Sequence, residues 1–162
     1  MRVLYRLRFS GSQTLSIGLA PGQSVSRMFL NGNTIAGETS GSDVTVDVHP
    51  SDAGDDGATL ELVVTSSRHN YLLKGGQSIR LPTLSWPVNV LDLKASLPAV
   101  FNYRWRAGTL APVESLPDVR YTHEIPTPGK HLYFRRYLVS KARAEVSLDY
   151  DVDLKGQYFT VR

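Results

Sequence analysis

Apolar and polar residues alternate without interruption from Lys141 to Lys155. A period of two is that of a β-strand, whose successive side chains point to opposite faces, so this stretch predicts a strand with one buried and one solvated face. The apolar residues are Ala142, Ala144, Val146, Leu148, Tyr150, Val152 and Leu154. Because ordinary strands have about 3–10 residues, we expect a bulge or bend near Ser147, or a strand that passes from one sheet to another. The polar face changes from basic at Lys141 to acidic at Asp153, and an antiparallel neighbour should therefore carry the opposite charges.

Shorter segments with the same alternation occur along the rest of the chain. They include Val3–Phe9, Leu15–Leu19, Val44–Val48, Leu60–Val64, Leu91–Leu97 and Val100–Arg106. Asn31-Gly32 lies between apolar runs and predicts a two-residue hairpin, because a type I′ turn needs positive φ at both positions. Two prolines remove backbone donors from Leu81–Val88, which makes that segment an edge or a crossover. We expect His131–Leu138 to form a terminal antiparallel pair with the stretch from Lys141 onward, joined near Ser140.

No segment of ten or more residues shows helical spacing with caps, whereas glycine and proline separate short strands throughout. This pattern predicts an all-β fold, namely an antiparallel β-sandwich in the immunoglobulin-like or fibronectin-like range of architectures, with a barrel as the second choice. A length of 162 residues favours a single domain covering residues 1–162. If the chain were divided, the boundary would fall in the least periodic segment, residues 66–78.

Composition narrows the possible partners. The sequence has 41% hydrophobic and 20% charged residues, which is a globular balance, and it has no cysteine for disulfides or thiolate metal sites. No apolar run approaches the roughly 18 residues of a membrane span, so we expect no direct membrane insertion. The net charge of +3 is small and no RNA-recognition signature is present, so we expect no nucleic acid partner. The strand-like pattern at both ends suggests part of a longer protein.

Acidic and histidine clusters are the candidates for metal sites. The weak calcium candidates are Asp52, Asp55 and Asp56, which lie in a loop that contains glycine. Three further acids alternate along the last strand, but the sixth position of that segment is Leu154, where a calcium loop needs glycine, so a solvated face is the preferred interpretation. The group His123, Glu124 and His131 lacks the helical spacing of a zinc site. We therefore predict no cofactor.

Nothing in the sequence specifies an active site. Serines are numerous, yet none lies in a G-x-S-x-G motif. A pair of carboxylates across a cleft, as glycoside hydrolysis requires, stays open because sequence does not give their separation. The expectation is therefore a protein that is not an enzyme.

Five aromatic residues are the candidates for ligand binding, because their rings can stack on sugars or anchor a protein interface. They are Trp86, Tyr103, Trp105, Tyr133 and Tyr137. In Val100–Arg106 two of these rings share one strand face, and two arginines occupy the other. We expect the face with the rings to be buried and the arginines to be exposed. The alternative is an exposed aromatic platform.

Several short motifs resemble the β-sandwich modules of large uncharacterised bacterial cell-envelope proteins. These motifs are LNG at Leu30–Gly32, IRLPTLSWPV at Ile79–Val88, Leu97-Pro98 and the terminal YFRRYLVSKARAEVSLDY. The resemblance implies an extracytoplasmic location, which is periplasmic, at the cell surface or secreted. It implies a scaffold or adhesion role and supplies no catalytic residues.

The functional hypothesis is a non-catalytic structural or protein-interaction module of a larger extracytoplasmic protein. Its partners would be other domains of that larger chain or another protein. The alternative is a carbohydrate-binding module with exposed aromatics that bind a glycan. A glycoside hydrolase or other hydrolase is third.

Overall fold

The computed structural model describes residues 1–9, 11–52, 57–66, 71–116, 129–139 and 144–153. Within these ranges the chain forms β-strands and a single 3₁₀ turn at Pro50–Asp52, and it contains no α-helix. The strands are β1 (Arg2–Leu7), β2 (Gln13–Gly18), β3 (Gln23–Leu30), β4 (Asn33–Thr34), β5 (Glu38–Ser40), β6 (Asp43–Val48), β7 (Ala58–Ser66), β8 (Lys74–Arg80), β9 (Thr83–Leu84), β10 (Val88–Leu97), β11 (Phe101–Gly108), β12 (Ala111–Val113), β13 (Lys130–Val139) and β14 (Glu145–Val152). The all-β prediction is confirmed.

The strands form three antiparallel sheets. The large sheet has the order β12-β13-β10-β1-β7-β3-β4, the four-stranded sheet has the order β5-β6-β2-β9, and the three-stranded sheet has the order β11-β14-β8. Over the described ranges, none of these sheets closes into a barrel, and the arrangement fits a β-sandwich. The first of the two predicted architectures is therefore the one found.

One hydrophobic core receives side chains from all three sheets. Its members include Val3, Tyr5 and Leu7 of the large sheet, Leu15, Ile17, Val44 and Val46 of the four-stranded sheet, and Val146 and Leu148 of the three-stranded sheet. These residues occupy alternate positions along each strand, which is how one face of a sheet becomes buried. Tyr5 Oη donates a hydrogen bond of 2.7 Å to the carbonyl of Pro82, and burial raises the pKa of Tyr5.

The opposite face of the large sheet also buries side chains near its centre. Leu4 of β1 is paired with Asp92 of β10 on one side and with Glu61 of β7 on the other, and all three are buried. Leu4 lies between two residues of the inner face of β1, Val3 and Tyr5, and yet it is buried on the outer face between Asp92 and Glu61. A period of two therefore identified the inner face of β1 but did not show that its outer face is also covered.

Arginines neutralise both buried carboxylates. Arg135 Nε and Nη2 donate to the two oxygens of Asp92 at 2.6 and 2.9 Å, and Arg6 Nη2 lies 3.7 Å from the same carboxylate. Arg2 forms the corresponding pair with Glu61. The hydrogen bond that Arg135 donates to Asp92 raises the pKa of Arg135, so the guanidinium stays charged beside this carboxylate.

Two local predictions are confirmed. Asn31 and Gly32 have φ angles of 50° and 82° and connect β3 to β4 in a two-residue hairpin, as a type I′ turn requires. The segment Leu81–Val88 contributes the two-residue strand β9, which pairs only with β2 among the described strands and lies at the edge of its sheet.

The predicted terminal strand pair is wrong. β13 pairs with β10 and β12 in the large sheet, whereas β14 pairs with β11 and β8 in the three-stranded sheet. Periodicity fixes the face that a strand buries but does not specify its neighbour. The alternation itself is confirmed within Glu145–Val152, where Val146, Leu148 and Tyr150 are buried. Residues 140–143 and 154–155 lie outside the described residues.

Candidate interaction site

The three-stranded sheet places aromatic and charged residues on opposite faces. β14 lies between β11 and β8, with Tyr103 opposite Tyr150 and Trp105 opposite Leu148. Residues that face each other across an antiparallel pair share a side of the sheet, so the rings of β11 lie on the same side as the buried residues of β14. Among the described strands, β11 has no neighbour on its other side and is an edge strand.

Four rings on that side form what we call the aromatic cluster: Tyr71, Phe101, Tyr103 and Tyr150. Tyr71 stacks on Phe101 with ring centroids 4.9 Å apart, and it contacts Tyr150 edge-on at 5.0 Å. Phe101 and Tyr150 also meet edge-on at 5.2 Å, and Tyr103 lies 6.4 Å from both of them. These separations fall in the range where aromatic pairs attract one another. The cluster is therefore a packed unit next to the main core.

Gly75 makes room for the ring of Tyr150. The two residues face each other across β8 and β14, and a Cβ on Gly75 would lie only 2.7 Å from Tyr150 Oη and 3.0 Å from Tyr150 Cζ. Its neighbour Gly76 has no such constraint, because a Cβ there would meet nothing closer than 3.7 Å. The first glycine of this pair is therefore needed for the position of the buried tyrosine.

The tyrosine hydroxyls of the cluster have identified partners. Tyr103 Oη donates to the carbonyl of Pro98 at 3.1 Å, Tyr71 Oη donates to Gln77 Oε1 at 2.7 Å, and Tyr150 Oη accepts the N–H of Leu72 at 3.3 Å. Burial raises the pKa of Tyr103, and the neighbouring Tyr71 and Tyr150 raise it further. The Tyr103 phenol is therefore neutral at physiological pH and contributes ring surface without charge.

The other face of the three-stranded sheet alternates in charge from strand to strand. Arg104 Nη2 of β11 lies 3.0 Å from Asp151 Oδ2 of β14, and Arg106 Nη1 lies 3.7 Å from Asp149 Oδ1. On the far side of β14, Lys74 of β8 faces Asp151. The order across the sheet is thus basic, acidic and basic. The expectation that neighbours oppose the acids of the last strand is confirmed for these two carboxylates.

A β-bulge interrupts β11 at Arg106. The register passes from Trp105 opposite Leu148 to Ala107 opposite Ser147, which leaves one extra residue on β11. The irregularity occurs beside Ser147, where we predicted a bulge, but it belongs to the neighbouring strand. β14 itself does not have the predicted bulge, because it pairs with β8 over Glu145–Asp151 without a register shift.

Large apolar side chains are exposed around this sheet. Trp105 is 47% exposed, and the prediction that it lies in the core is wrong, because the edge position of β11 leaves one side of its ring uncovered. Three further residues, Leu72, Leu73 and Val100, form what we call the end patch. The carbonyls of Leu73 and Val100 accept the N–H groups at positions 152 and 153, at 2.9 and 2.8 Å, so the patch flanks the end of β14.

The remaining aromatic candidates lie elsewhere. Tyr133 and Tyr137 belong to β13 of the large sheet, where Tyr137 is 64% exposed and the guanidinium carbon of Arg135 lies 5.9 Å from its ring centroid. Trp86 follows β9, is half-buried and packs against Phe9 with ring centroids 5.7 Å apart. The five predicted residues are thus divided between β11, β13 and the segment after β9.

The metal candidates have structural roles where they are described. Asp52 Oδ2 accepts the N–H of His49 at 2.8 Å and so caps the 3₁₀ turn. His131 Nδ1 lies 3.2 Å from Ser96 Oγ. Asp55, Asp56, His123 and Glu124 lie outside the described residues, so the calcium prediction stays a prediction. No group of three or more His, Asp or Glu side chains in the described ranges is arranged to hold a metal ion.

Sequence reasoning missed three members of the aromatic cluster, namely Tyr71, Phe101 and Tyr150. Phe101 has the same parity as the rings already identified on its strand, and this signal was sufficient to include it. Tyr150 was recognised only as a core residue. Its position opposite the Gly75-Gly76 pair depends on the pairing of β8 with β14. These residues are nearly half the chain apart in sequence, so no local pattern indicates that they meet.

Comparison with protein-family models found no matching family, and neither the curated proteins nor the solved structures gave a match. In the part of the chain that the structure describes, no helix is both long and apolar enough to cross a membrane. The functional proposal therefore depends on the geometry of the sheet and on the sequence resemblance.

Proposed function

We propose that this chain is a non-catalytic protein-interaction module of a larger extracytoplasmic protein. The observation that carries the proposal is the exposure of large apolar side chains around the three-stranded sheet. Leu72 and Leu73 are 72% and 79% exposed, and four of the six large hydrophobic residues exposed in the described ranges lie in the end patch or at Trp105. Grouped exposed apolar residues are typical of protein interaction surfaces.

The surroundings of the end patch support an interface. The aromatic cluster adjoins the patch, because the Leu72 N–H donates to Tyr150 Oη. Lys130 Nζ lies 3.0 Å from Asp153 Oδ2 beside Val100, so charged groups border the apolar residues. An apolar centre with a polar rim is the usual composition of interfaces between proteins. The resemblance to cell-envelope modules supports the extracytoplasmic part of the proposal.

The proposal can be tested by immobilising the chain and capturing envelope proteins from the source cells. The amount captured is compared between two variants. Leu72→Ser with Leu73→Ser should abolish capture of a defined partner, whereas Tyr137→Ser, which removes an exposed ring from the large sheet, should leave capture unchanged. Equal capture by both variants would contradict an interface at the end patch. Turnover of a glycan or ester substrate by the purified chain would contradict the non-catalytic assignment.

A glycan-binding function is the second candidate, and the arrangement of β13 favours it. Tyr133, Arg135 and Tyr137 alternate along one face of this strand, and the last ring is exposed with the guanidinium beside it. Rings combined with a hydrogen-bond donor suit sugar recognition. Tyr137→Ala should then abolish binding on a glycan array. A flat response of the unmodified chain to all sugars would remove this candidate.

A further inference from the structure

We propose that β11 binds an extended segment of a partner protein by strand addition, and that this segment alternates acidic with apolar residues. The inference rests on the proposed interaction function and assigns it a specific edge. Peptides that add to an open sheet edge derive affinity from backbone hydrogen bonds and specificity from alternate side chains.

The backbone of β11 has groups oriented for such a segment. The Asp153 N–H donates to the carbonyl of Val100, which fixes the alternation of the antiparallel ladder. The backbone groups of Asn102 and Arg104 then point toward β14, and those of Phe101, Tyr103 and Trp105 point away from it. The Phe101 carbonyl accordingly accepts Lys130 Nζ at 2.8 Å on that side. In the described part of the chain, no strand pairs with Tyr103 and Trp105 there.

The charges on the solvent face select an acidic segment. Arg104 and Arg106 form the outermost basic row of a sheet in which basic and acidic strands alternate. The side chain of Arg104 is 71% exposed, and only one of its guanidinium nitrogens donates to Asp151. An acidic strand beside β11 would extend the alternation, whereas a second copy of β11 would bring arginines together. The charge order therefore favours a different protein over self-association.

The other face selects apolar residues. The incoming segment would contact Trp105, whose exposed ring lies beyond the buried Leu148, and it would contact the edge of the aromatic cluster at Tyr103. β14 already satisfies these two requirements on its side of β11, with Asp149 and Asp151 alternating with Leu148 and Tyr150. The sequence of β14 is therefore a model for the segment that the open side would accept.

The bulge at Arg106 limits the docking stretch to the residues before it. Bulges and charged side chains on edge strands also prevent nonspecific pairing. A purely protective edge would reject all strands, whereas a docking edge should distinguish an acidic segment from a basic one. This difference makes the two roles separable by experiment.

The test uses the full chain with Trp86→Phe, so that Trp105 is the remaining tryptophan, and a capped peptide of residues 144–153, AEVSLDYDVD. We expect a saturable change in Trp105 fluorescence that weakens with salt, together with slower amide hydrogen exchange at Tyr103 and Trp105. A peptide with both central aspartates replaced by lysine should bind at least about tenfold more weakly.

Two charge reversals provide the matched comparison. Arg104→Glu and Lys74→Glu each place an acid beside Asp151, but only Arg104 lies on the docking edge. Arg104→Glu should weaken binding of the acidic peptide by at least about tenfold, and Lys74→Glu should leave binding unchanged.

Equal affinity for the two peptides, equal loss in the two variants, or no saturable response would overturn the inference. The proposed function would survive that result if capture of an envelope partner still depended on Leu72 and Leu73. Conversely, binding of the acidic peptide without any capture at the end patch would remove the broader proposal and leave the edge assignment in place.

Discussion

The large sheet and the three-stranded sheet both pair acids with arginines on their outer faces, but at different depths. Asp92 is 1% exposed between Arg135 and Arg6, whereas the side chain of Asp151 is 40% exposed beside Arg104. Asp92 belongs to β10, which has β13 on one side and β1 on the other, with three more strands beyond β1. Arg104 belongs to an edge strand of a sheet with three strands.

This difference shows that the position of a strand, and not the type of ion pair, decides what the pair does. A charge buried at the centre of a sheet must be neutralised in the folded chain, so we expect loss of the Arg135–Asp92 pair to be strongly destabilising. A solvated pair at an edge contributes little to stability, so its arginine remains available to a second carboxylate. The predictions below test this division, starting with the largest expected effect.

Removing a buried carboxylate should cost far more than removing an exposed one. Asp92→Ala leaves the partly buried guanidinium of Arg135 without its carboxylate partner, and we expect the free energy of unfolding to fall by about 3–5 kcal/mol. Urea denaturation measures this change, with Asp151→Ala as the matched control. A loss of similar size in both variants would contradict the comparison.

Alanine substitutions of two adjacent glycines test how closely β8 packs against Tyr150. Gly75→Ala places a Cβ against the buried ring of Tyr150 and should lower the free energy of unfolding by about 1–3 kcal/mol. Gly76→Ala, whose Cβ would meet nothing closer than 3.7 Å, should have no such cost. Thermal denaturation distinguishes the two variants, and equal melting temperatures would show that the ring is not confined.

At alkaline pH, the tyrosines of the two sheets should affect the free energy of unfolding to different extents. Burial raises the pKa of Tyr5 above its ordinary value of 10.0, so above pH 10 the unfolded chain loses this proton while the folded chain keeps it. The free energy of unfolding should fall by about 1.4 kcal/mol per pH unit for such a residue. Tyr5→Phe should flatten the dependence more than Tyr103→Phe, because Tyr103 is only half-buried. Identical slopes in both variants and the parent would refute this.

The smallest effect is expected at the edge. Arg104→Ala removes a solvated ion pair with Asp151 and should change the free energy of unfolding by less than about 1 kcal/mol. Its double-mutant cycle with Asp151→Ala, measured by urea denaturation, should give a coupling energy of similar size. A coupling energy as large as that between Asp92 and Arg135 would mean that the edge arginine contributes substantially to the stability of the fold.

Strand identity could be predicted from sequence because it depends on neighbouring residues. The alternation of β2, β6 and β14 marked their buried faces correctly, and Asn31-Gly32 marked a hairpin because its turn geometry is local. The neighbour of each strand could not be predicted in the same way. β13 and β14 are consecutive in the sequence, yet they belong to different sheets.

Only part of the candidate site could be predicted from sequence, again because the neighbours of each strand are not indicated by local patterns. Tyr103 and Trp105 were correctly placed on one face, but their exposure depends on β11 being an edge strand, which is a property of the whole sheet order. Buried Asp92 gave no signal, because an acid in an alternating strand has the pattern of a solvated residue. Its burial follows from the strands that flank β10.

The close approach of Gly75 to the ring opposite it has an evolutionary consequence. A side chain at position 75 would press against the tyrosine ring at position 150, so loss of this glycine should be accompanied by a change at 150. Homologues that diverge here should change the two positions together, with a smaller residue at 150 whenever glycine is lost at 75. Covariation of this pair would identify the three-stranded sheet in distant homologues, even where the rest of the sequence is no longer detectably similar.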